Sequence, residues 1–323
     1  MKRLFTGAGQ DPGHVLVVGS VNIDLVTRVS AFPQPGETLL GSDYETHHGG
    51  KGANQAVAAA RLNAQVRFVG RVGSDGFGPT LKQALADEGI DVTSLSTVSA
   101  PSGAAFITVD EQGQNTIIVS PGANSRLTPR SLTSELFEGA AVVLLQLEIP
   151  PETVRQAIWL ARAAGARVIV NAAPAWALGL DGLSGTDLLI VNESEAHSLL
   201  GQGGKTGDAG TALSELAARI PEVVITLGSG GVIWQTADSA GHLPAFSVTA
   251  VDTTAAGDAF VGGLAAGLAR DESLNRAIRI GCAAGALAVT RHGAQPSLPH
   301  IDDVTRLLEG SSRAEHPARR NSD

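Results

Sequence analysis

The residues best suited to chemistry lie in Asp252-Thr253-Thr254-Ala255-Ala256-Gly257-Asp258-Ala259. Small side chains at 255–257 let a ligand approach the backbone closely. The Ala- and Gly-rich run that follows, 261–269, reads as a helix. Its first N–H groups, unpaired, and the positive end of its dipole would face that ligand, a ready site for phosphate oxygens. A carboxylate inside an anion site is electrostatically unfavourable unless it has a task. Asp258 could accept the proton of an attacking hydroxyl while the N–H groups stabilise charge on a transferring phosphoryl group. Aspartate is also a common helix cap, and the local pattern admits both uses.

A second glycine-rich turn, Gly49-Gly50-Lys51-Gly52-Ala53-Asn54-Gln55, also precedes an Ala-rich helical stretch. It lacks the Gly-x-x-x-x-Gly-Lys-Ser/Thr spacing of a phosphate loop. Its glycines and Lys51 suit a close-fitting polar substrate, and Asn54 offers both donor and acceptor groups. Asn22 and Asp24 follow the first apolar run, and Glu148 follows another. Ligand contacts in α/β folds gather at strand carboxyl ends, where a carboxylate such as Asp24 could accept two hydroxyl protons from a vicinal diol. Each of these positions alone is also consistent with an ordinary loop residue. Gly201-Gln202-Gly203-Gly204-Lys205-Thr206 mimics part of a phosphate loop, but Leu199 stands where its first glycine is required, so a surface loop is expected. His47-His48 has no matching Cys or His pair to make a metal site. Cys282 reads as a small apolar residue in an Ala-rich helix, and Trp159, Trp176 and Trp234 read as packing residues.

The elements that must position these groups are short apolar runs at 15–20, 66–69, 142–147, 168–171, 188–192 and 223–227. Such runs fit strands buried on both faces of a parallel sheet. Ala-rich helical stretches lie between them at 53–62, 78–88, 151–164, 194–200 and 211–219. Pro129 and Pro151 suit first helical turns. The alternation predicts an α/β layered fold with a mainly parallel sheet. Two segments break the rhythm: 25–48, rich in Pro and Gly, and 104–120, which reads as a hairpin turning at 110–114. Together they predict a small sheet standing off the main domain, edge strands of the one sheet being the alternative.

The chain has 323 residues, 43% hydrophobic and 17% charged, with a net charge of −9. Those values fit an ordinary globular protein and argue against nonspecific nucleic-acid binding. One cysteine cannot form an internal disulfide, so a reducing, cytoplasmic setting is expected. No apolar stretch follows Lys2 and Arg3, and no run of 18 apolar residues occurs, so neither a leader peptide nor a membrane span is expected. The expected organisation is a flexible segment 1–14, a domain 15–308 with the lid strands inserted at about 22–48 and 104–120, and a disordered tail 309–323.

Over 15–308 the chain resembles the ribokinase-like (phosphofructokinase-B) carbohydrate kinases. The resemblance is carried by both glycine-rich segments, by Gly19-Ser20-Val21-Asn22-Ile23-Asp24, by Pro35-Gly36-Glu37-Thr38, and by the run from Ala288 to Ser297. It implies a three-layer α/β/α fold with a small β-sheet lid, and ATP-dependent phosphorylation of D-ribose at its 5-hydroxyl. Asp258 would be the base, with an anion hole at Ala255, Ala256, Gly257 and Asp258. It implies a sugar site at Asn22, Asp24, Gly49, Gly50, Lys51, Asn54, Glu148 and Asp258. ATP contacts are implied at Asn192, Glu195, Thr226, Leu227, Gly228, Ser229, Gly230, Gly231, Gly257 and Cys282. Asn192 and Glu195 would help arrange Mg²⁺ and its waters. A monovalent cation, K⁺, is implied at Asp252, Thr254, Ala288, Arg291, Gly293 and Ser297, several through backbone carbonyls. Three positions depart from the family: Ala255 stands where glycine is usual, Val191 where proline is frequent, and Cys282 where an adenine-site histidine is frequent. Sister kinases for 2-deoxyribose, other sugars or nucleosides share the scaffold. A non-catalytic binding protein on the scaffold should have lost Asp258 or the anion-hole glycine, and both are present. The lid's exposed sheet predicts a homodimer.

Overall fold

The computed structural model describes residues 13–175, 178–201 and 207–315. From the N-terminus come β1 (His14–Val18), β2 (Asn22–Arg28), β3 (Glu45–Gly49) and helix α1 (Lys51–Arg61). Next are β4 (Val66–Gly73), α2 (Phe77–Asp87), β5 (Leu95–Val98), β6 (Gly103–Val109) and β7 (Asn115–Ser120). Then follow β8 (Ala140–Gln146), α3 (Pro151–Ala163), β9 (Arg167–Asn171), β10 (Leu188–Asn192), α4 (Glu193–Leu199) and α5 (Ala209–Ala217). The chain continues through β11 (Glu222–Thr226), β12 (Val232–Gln235), β13 (Ala240–Leu243), α6 (Ala256–Ala269), α7 (Leu274–Ala288) and α8 (Ile301–Glu315).

Nine strands form the main sheet in the order β13-β12-β11-β10-β9-β8-β1-β4-β5. Its pairings are parallel from β5 to β11 and antiparallel at β12 and β13. Alternate side chains serve two cores. Val15, Val17, Val142 and Leu144 pack with α1, α6, α7 and α8 on one face. Leu16, Val18, Val143 and Leu145 pack with α3, α4 and α5 on the other. Burial on both faces is why these strands read as unbroken apolar runs. The result is a three-layer α/β/α domain.

Residues 22–49 and 103–120 form the separate four-stranded sheet, in the order β3-β2-β6-β7. The β2–β6 pair is parallel and the other two pairs antiparallel, so the lid is mixed. The alternative of edge strands on the main sheet is excluded.

Several boundaries differ from expectation. The 309–323 tail is not unstructured throughout: α8 runs to Glu315, because Val304 and Leu308 bury one amphipathic face and the helix propagates beyond them. Residues 316–323 lie outside the described residues. Of the segment 1–14 expected to be flexible, His14 instead opens β1 and is buried, while 1–12 lie outside the described residues. Pro129 starts a single 3-10 turn, Pro129–Ser131, rather than an α-helix. Trp159 is exposed, because α3 buries Val154, Ala157, Ile158 and Ala161 and turns position 159 outward. Trp234 packs against the core as expected, whereas Trp176 and the 202–206 loop lie outside the described residues. Among the described residues, no helix is long and apolar enough to cross a membrane.

Candidate active site

The site forms where α1 and α6 meet beneath the lid. Their approach depends on small residues: a Cβ at Gly262 would come within 2.5 Å of Ala58 Cβ and 2.6 Å of Gln55 O. That close contact brings Asp258 of α6 against Asn54 and Gln55 of α1. Asn54 Nδ2 donates to Asp258 Oδ2 at 3.0 Å, and Gln55 Nε2 donates to Asp258 Oδ1 at 2.9 Å. Asp258 lies in the first turn of α6 and is buried. The cap position before it is Ala255, at φ 57°, a left-handed conformation that costs roughly 1–2 kcal/mol for a residue with a Cβ. Neither Asp258 oxygen caps the helix; both accept from α1 instead. Among the described residues the Gly257 and Asp258 N–H groups have no hydrogen-bond partner, and a Cβ at Gly257 would meet nothing within 4 Å. These are free donors at an open helix N-terminus, suited to an anion.

The lid supplies the next groups. Asn22 pairs with Gly49 across β2 and β3, and Asp24 lies two residues further along β2. A Cβ at Gly49 would fall 2.2 Å from Asp24 Oδ2, so glycine there makes room for the carboxylate. Gly50, at φ 90°, turns the chain into α1, and a Cβ would fall 2.8 Å from Asn22 N. Glu148, just beyond β8, accepts from Ser20 Oγ at 2.6 Å and from Lys51 N at 3.0 Å. Its negative charge therefore lies at the positive end of α1. Burial and then the charges of Glu148 and Asp258 push the Asp24 carboxyl up to about 7. Burial pulls the Lys51 ammonium down, but Asp258, Glu148 and Glu195 outweigh it and hold it above its ordinary value. Asn54 Oδ1 is buried without a partner, an acceptor left for a ligand hydroxyl.

Within electrostatic reach of Asp258, Asn192 and Glu195 form a capping box on α4. Glu195 N donates to Asn192 Oδ1 at 2.8 Å, and Asn192 N donates to Glu195 Oε2 at 2.9 Å. Burial raises the Glu195 carboxyl, against the Asn192 N–H and Lys51. After β11, Thr226 and Leu227 lead into a tight turn at Gly228–Gly230 that exposes Ser229. Leu227 N donates to Gly231 O at 2.8 Å; a Cβ at Gly231 would fall 2.1 Å from Leu243 O. Cys282 departs from the expected base contact: it packs in the core on α7, and burial pushes its thiol up to about 12.

The set expected to hold K⁺ is brought together in part. Asp252 accepts from Thr254 N and Oγ1 at 2.9 and 2.6 Å and from Gly293 N at 2.9 Å, tying two loops beside α6. Burial raises the Asp252 carboxyl, but these hydrogen bonds outweigh it and leave it below its ordinary value. Among the described residues, the carbonyl oxygens of Asp252, Thr254, Arg291 and Gly293 accept no hydrogen bond. Free oxygens of this kind fit a hard cation. The Arg291 side chain turns away to Asp303, the Ala288 carbonyl accepts from Arg291 N, and Ser297 Oγ is committed to Ala294 O. Among the described residues, no three or more His, Cys, Asp or Glu side chains are grouped so that they could hold a metal ion, and His47 lies against Glu45.

Residues 13–301 match the family model described as "pfkB family carbohydrate kinase". The chain belongs to that family. It is an ATP-dependent carbohydrate kinase. It is 42% identical over 301 residues to the "Ribokinase" of Haemophilus influenzae, covering 91% of this chain and 97% of that protein. It is 35% identical over 300 residues to the "Deoxyribokinase" of Salmonella typhi, covering 91% and 98%. Among solved structures it superposes on Arabidopsis thaliana ribokinase "complexed with Ribose and ATP" with TM-score 0.85 at 31% identity, covering 92% and 99%.

Five polar residues around Asp258 and Glu148 escaped the sequence reading as site residues. Ser20 holds Glu148, and Asn124 Nδ2 donates to Asn22 Oδ1 at 2.7 Å. Gln146 and Asn171 reach the site through Gln55. Gln55 had a signal, its place beside Asn54 in the glycine-rich segment. Asn124 had none.

Proposed function

We propose that this kinase transfers the terminal phosphoryl group of ATP to O5 of D-ribose, with Asp258 as the base. The observation that carries this reading is the buried Asp258 carboxylate beside unpartnered N–H groups at the open end of α6. Asp24, Glu148 and Asn54 would accept sugar hydroxyl protons, while Lys51 and Asn22 would donate to sugar oxygens. Asn22 Oδ1 is occupied by Asn124, which leaves its amide N–H groups for the ligand. Asp258 would take the hydroxyl proton during in-line attack, and the N–H groups of 255–258 would stabilise the phosphoryl oxygens. The turn Gly228–Gly230 and Asn192 would hold the nucleotide. Asn192 and Glu195 would hold Mg²⁺ and its waters, which neutralise phosphate charge when bound. Asp252, Thr254, Ala288, Arg291, Gly293 and Ser297 would hold K⁺ beside the anion hole. The lid sheet would shield the sugar from water and limit wasteful hydrolysis of ATP.

The likeness to a relative named for deoxyribose favours 2-deoxyribose as the second reading. A sugar panel with ATP and Mg²⁺, run with K⁺ or Na⁺ as the added monovalent salt, separates them. D-ribose is expected to give the highest kcat/KM, in K⁺. A preference of about a hundredfold for 2-deoxyribose or for a nucleoside would overturn ribose as the substrate.

A further inference from the structure

A chain of buried carboxamides runs from Asp258 into the central sheet, outside the side chains assigned to sugar or nucleotide. Gln55 Nε2 donates to Asp258 Oδ1 and to Asn171 Oδ1, both at 2.9 Å. Gln55 Oε1 accepts from Gln146 Nε2 at 2.6 Å. Asn171 Nδ2 donates onward to Ile190 O at 3.1 Å. Gln55 and Gln146 are wholly buried, and Asn171 nearly so. Gln146 and Asn171 are the last residues of the adjacent strands β8 and β9 and face each other in register. The chain thus ends on three neighbouring strands of the rigid sheet. Gly19 keeps the space open, since a Cβ there would come within 2.2 Å of Gln146 Oε1.

We propose that Gln55, anchored by Gln146 and Asn171, is a positioning residue that fixes the Asp258 carboxylate for proton abstraction. The inference rests on Asp258 acting as the base. An ionised carboxylate only accepts hydrogen bonds, so Gln55 must turn its NH₂ toward it. That choice directs Gln55 Oε1 at Gln146 and fixes the orientation of each amide in turn. Asn54 also holds Asp258, but it stands at the sugar, with its own Oδ1 free for a hydroxyl. Gln55 has no ligand to meet, and both its N–H groups and its oxygen are engaged within the protein. It is therefore the constant anchor through the reaction cycle. One donor on each oxygen sets the plane of the carboxylate and leaves further lone pairs for the substrate proton. Releasing one anchor lets the carboxylate rotate about its side-chain bonds, and a misplacement of about 1 Å can cost ~10²-fold in rate.

Gln55→Met and Gln146→Met keep side-chain volume while removing the amide. Each is measured beside Asp258→Asn for kcat, for KM of both substrates, for the sugar Kd by calorimetry, and for cooperative melting. Gln55→Met is expected to lose about tenfold or more in kcat with the sugar Kd changed by less than about threefold. Gln146→Met is expected to show a smaller kcat loss of the same kind. A folded Gln55→Met with kcat within about twofold of wild type, or with sugar affinity lost as fully as kcat, overturns the positioning role. Should Gln55→Met fail to melt cooperatively, Gln146→Met decides by the same criteria. Wild-type turnover in Asp258→Asn overturns the base itself. An inactive Asp258→Asn beside a fully active Gln55→Met removes only the role of Gln55.

Discussion

Asp24 is the residue whose titration bears most directly on the proposed sugar site. Burial, with Glu148 and Asp258 nearby, raises its carboxyl to about 7. Only the ionised form accepts hydroxyl protons at both oxygens, so sugar that binds through such hydroxyls favours the deprotonated site. The sign follows: affinity is full above the raised value and weakens as pH falls through it. Between pH 8 and pH 6 the ribose Kd is expected to rise about tenfold, with Asp24→Asn weak and nearly flat across the same range. Calorimetric titration at both pH values checks this, and an unchanged Kd in the wild type contradicts it. The neighbouring Lys51 stays charged in this window, because three carboxylates outweigh its burial. Asp258 is a different kind of residue. Its neighbours, not its own position in the helix, set it apart from a cap, and those neighbours come from 203 and 204 positions away in the chain.

At the scale of elements, the parallel strands were plain in the sequence because burial on both faces leaves only apolar residues, as in Val142 to Leu145. The hairpin at β6 and β7 was legible from its alternation and its turn, where Asp110 N donates to Gln114 O at 3.0 Å. The strands β5, β12 and β13 were not legible: each is four residues long, and β13 carries Gly241 and His242 in place of an apolar run. The end of α8 was misread because Glu309, Gly310 and Ser311 are polar, yet the docked turns before them carry the helix on. Local pattern identified the two glycine-rich turns and the helices after them. It left the pairing of α1 with α6 open, since Ala- and Gly-rich helices pack against many partners. The amide chain through Gln146 and Asn171 was invisible for the same reason. Each residue is an ordinary strand end until three strands and a helix are assembled around it. The left-handed Ala255 likewise has no sequence mark beyond a missing family glycine.

For the whole molecule, the lid leaves Phe106 and Ile118, paired across β6 and β7, exposed on one face of its small sheet. Such a face invites association, and we propose that a second copy of the chain covers it. Light scattering at micromolar concentration is expected to give the mass of two chains, and Ile118→Glu the mass of one. A monomeric wild type contradicts the proposal. In the domain beneath, Lys51 and Glu195 share the electrostatic neighbourhood of a single carboxylate, Asp258, between the proposed sugar and nucleotide sites. Asp258 is therefore the residue to test, through the ribose-dependent rate of ADP formation in Asp258→Asn against wild type. A loss of at least about a hundredfold, with ribose and ATP still bound, is the expected result. A rate close to that of the wild type would contradict the account.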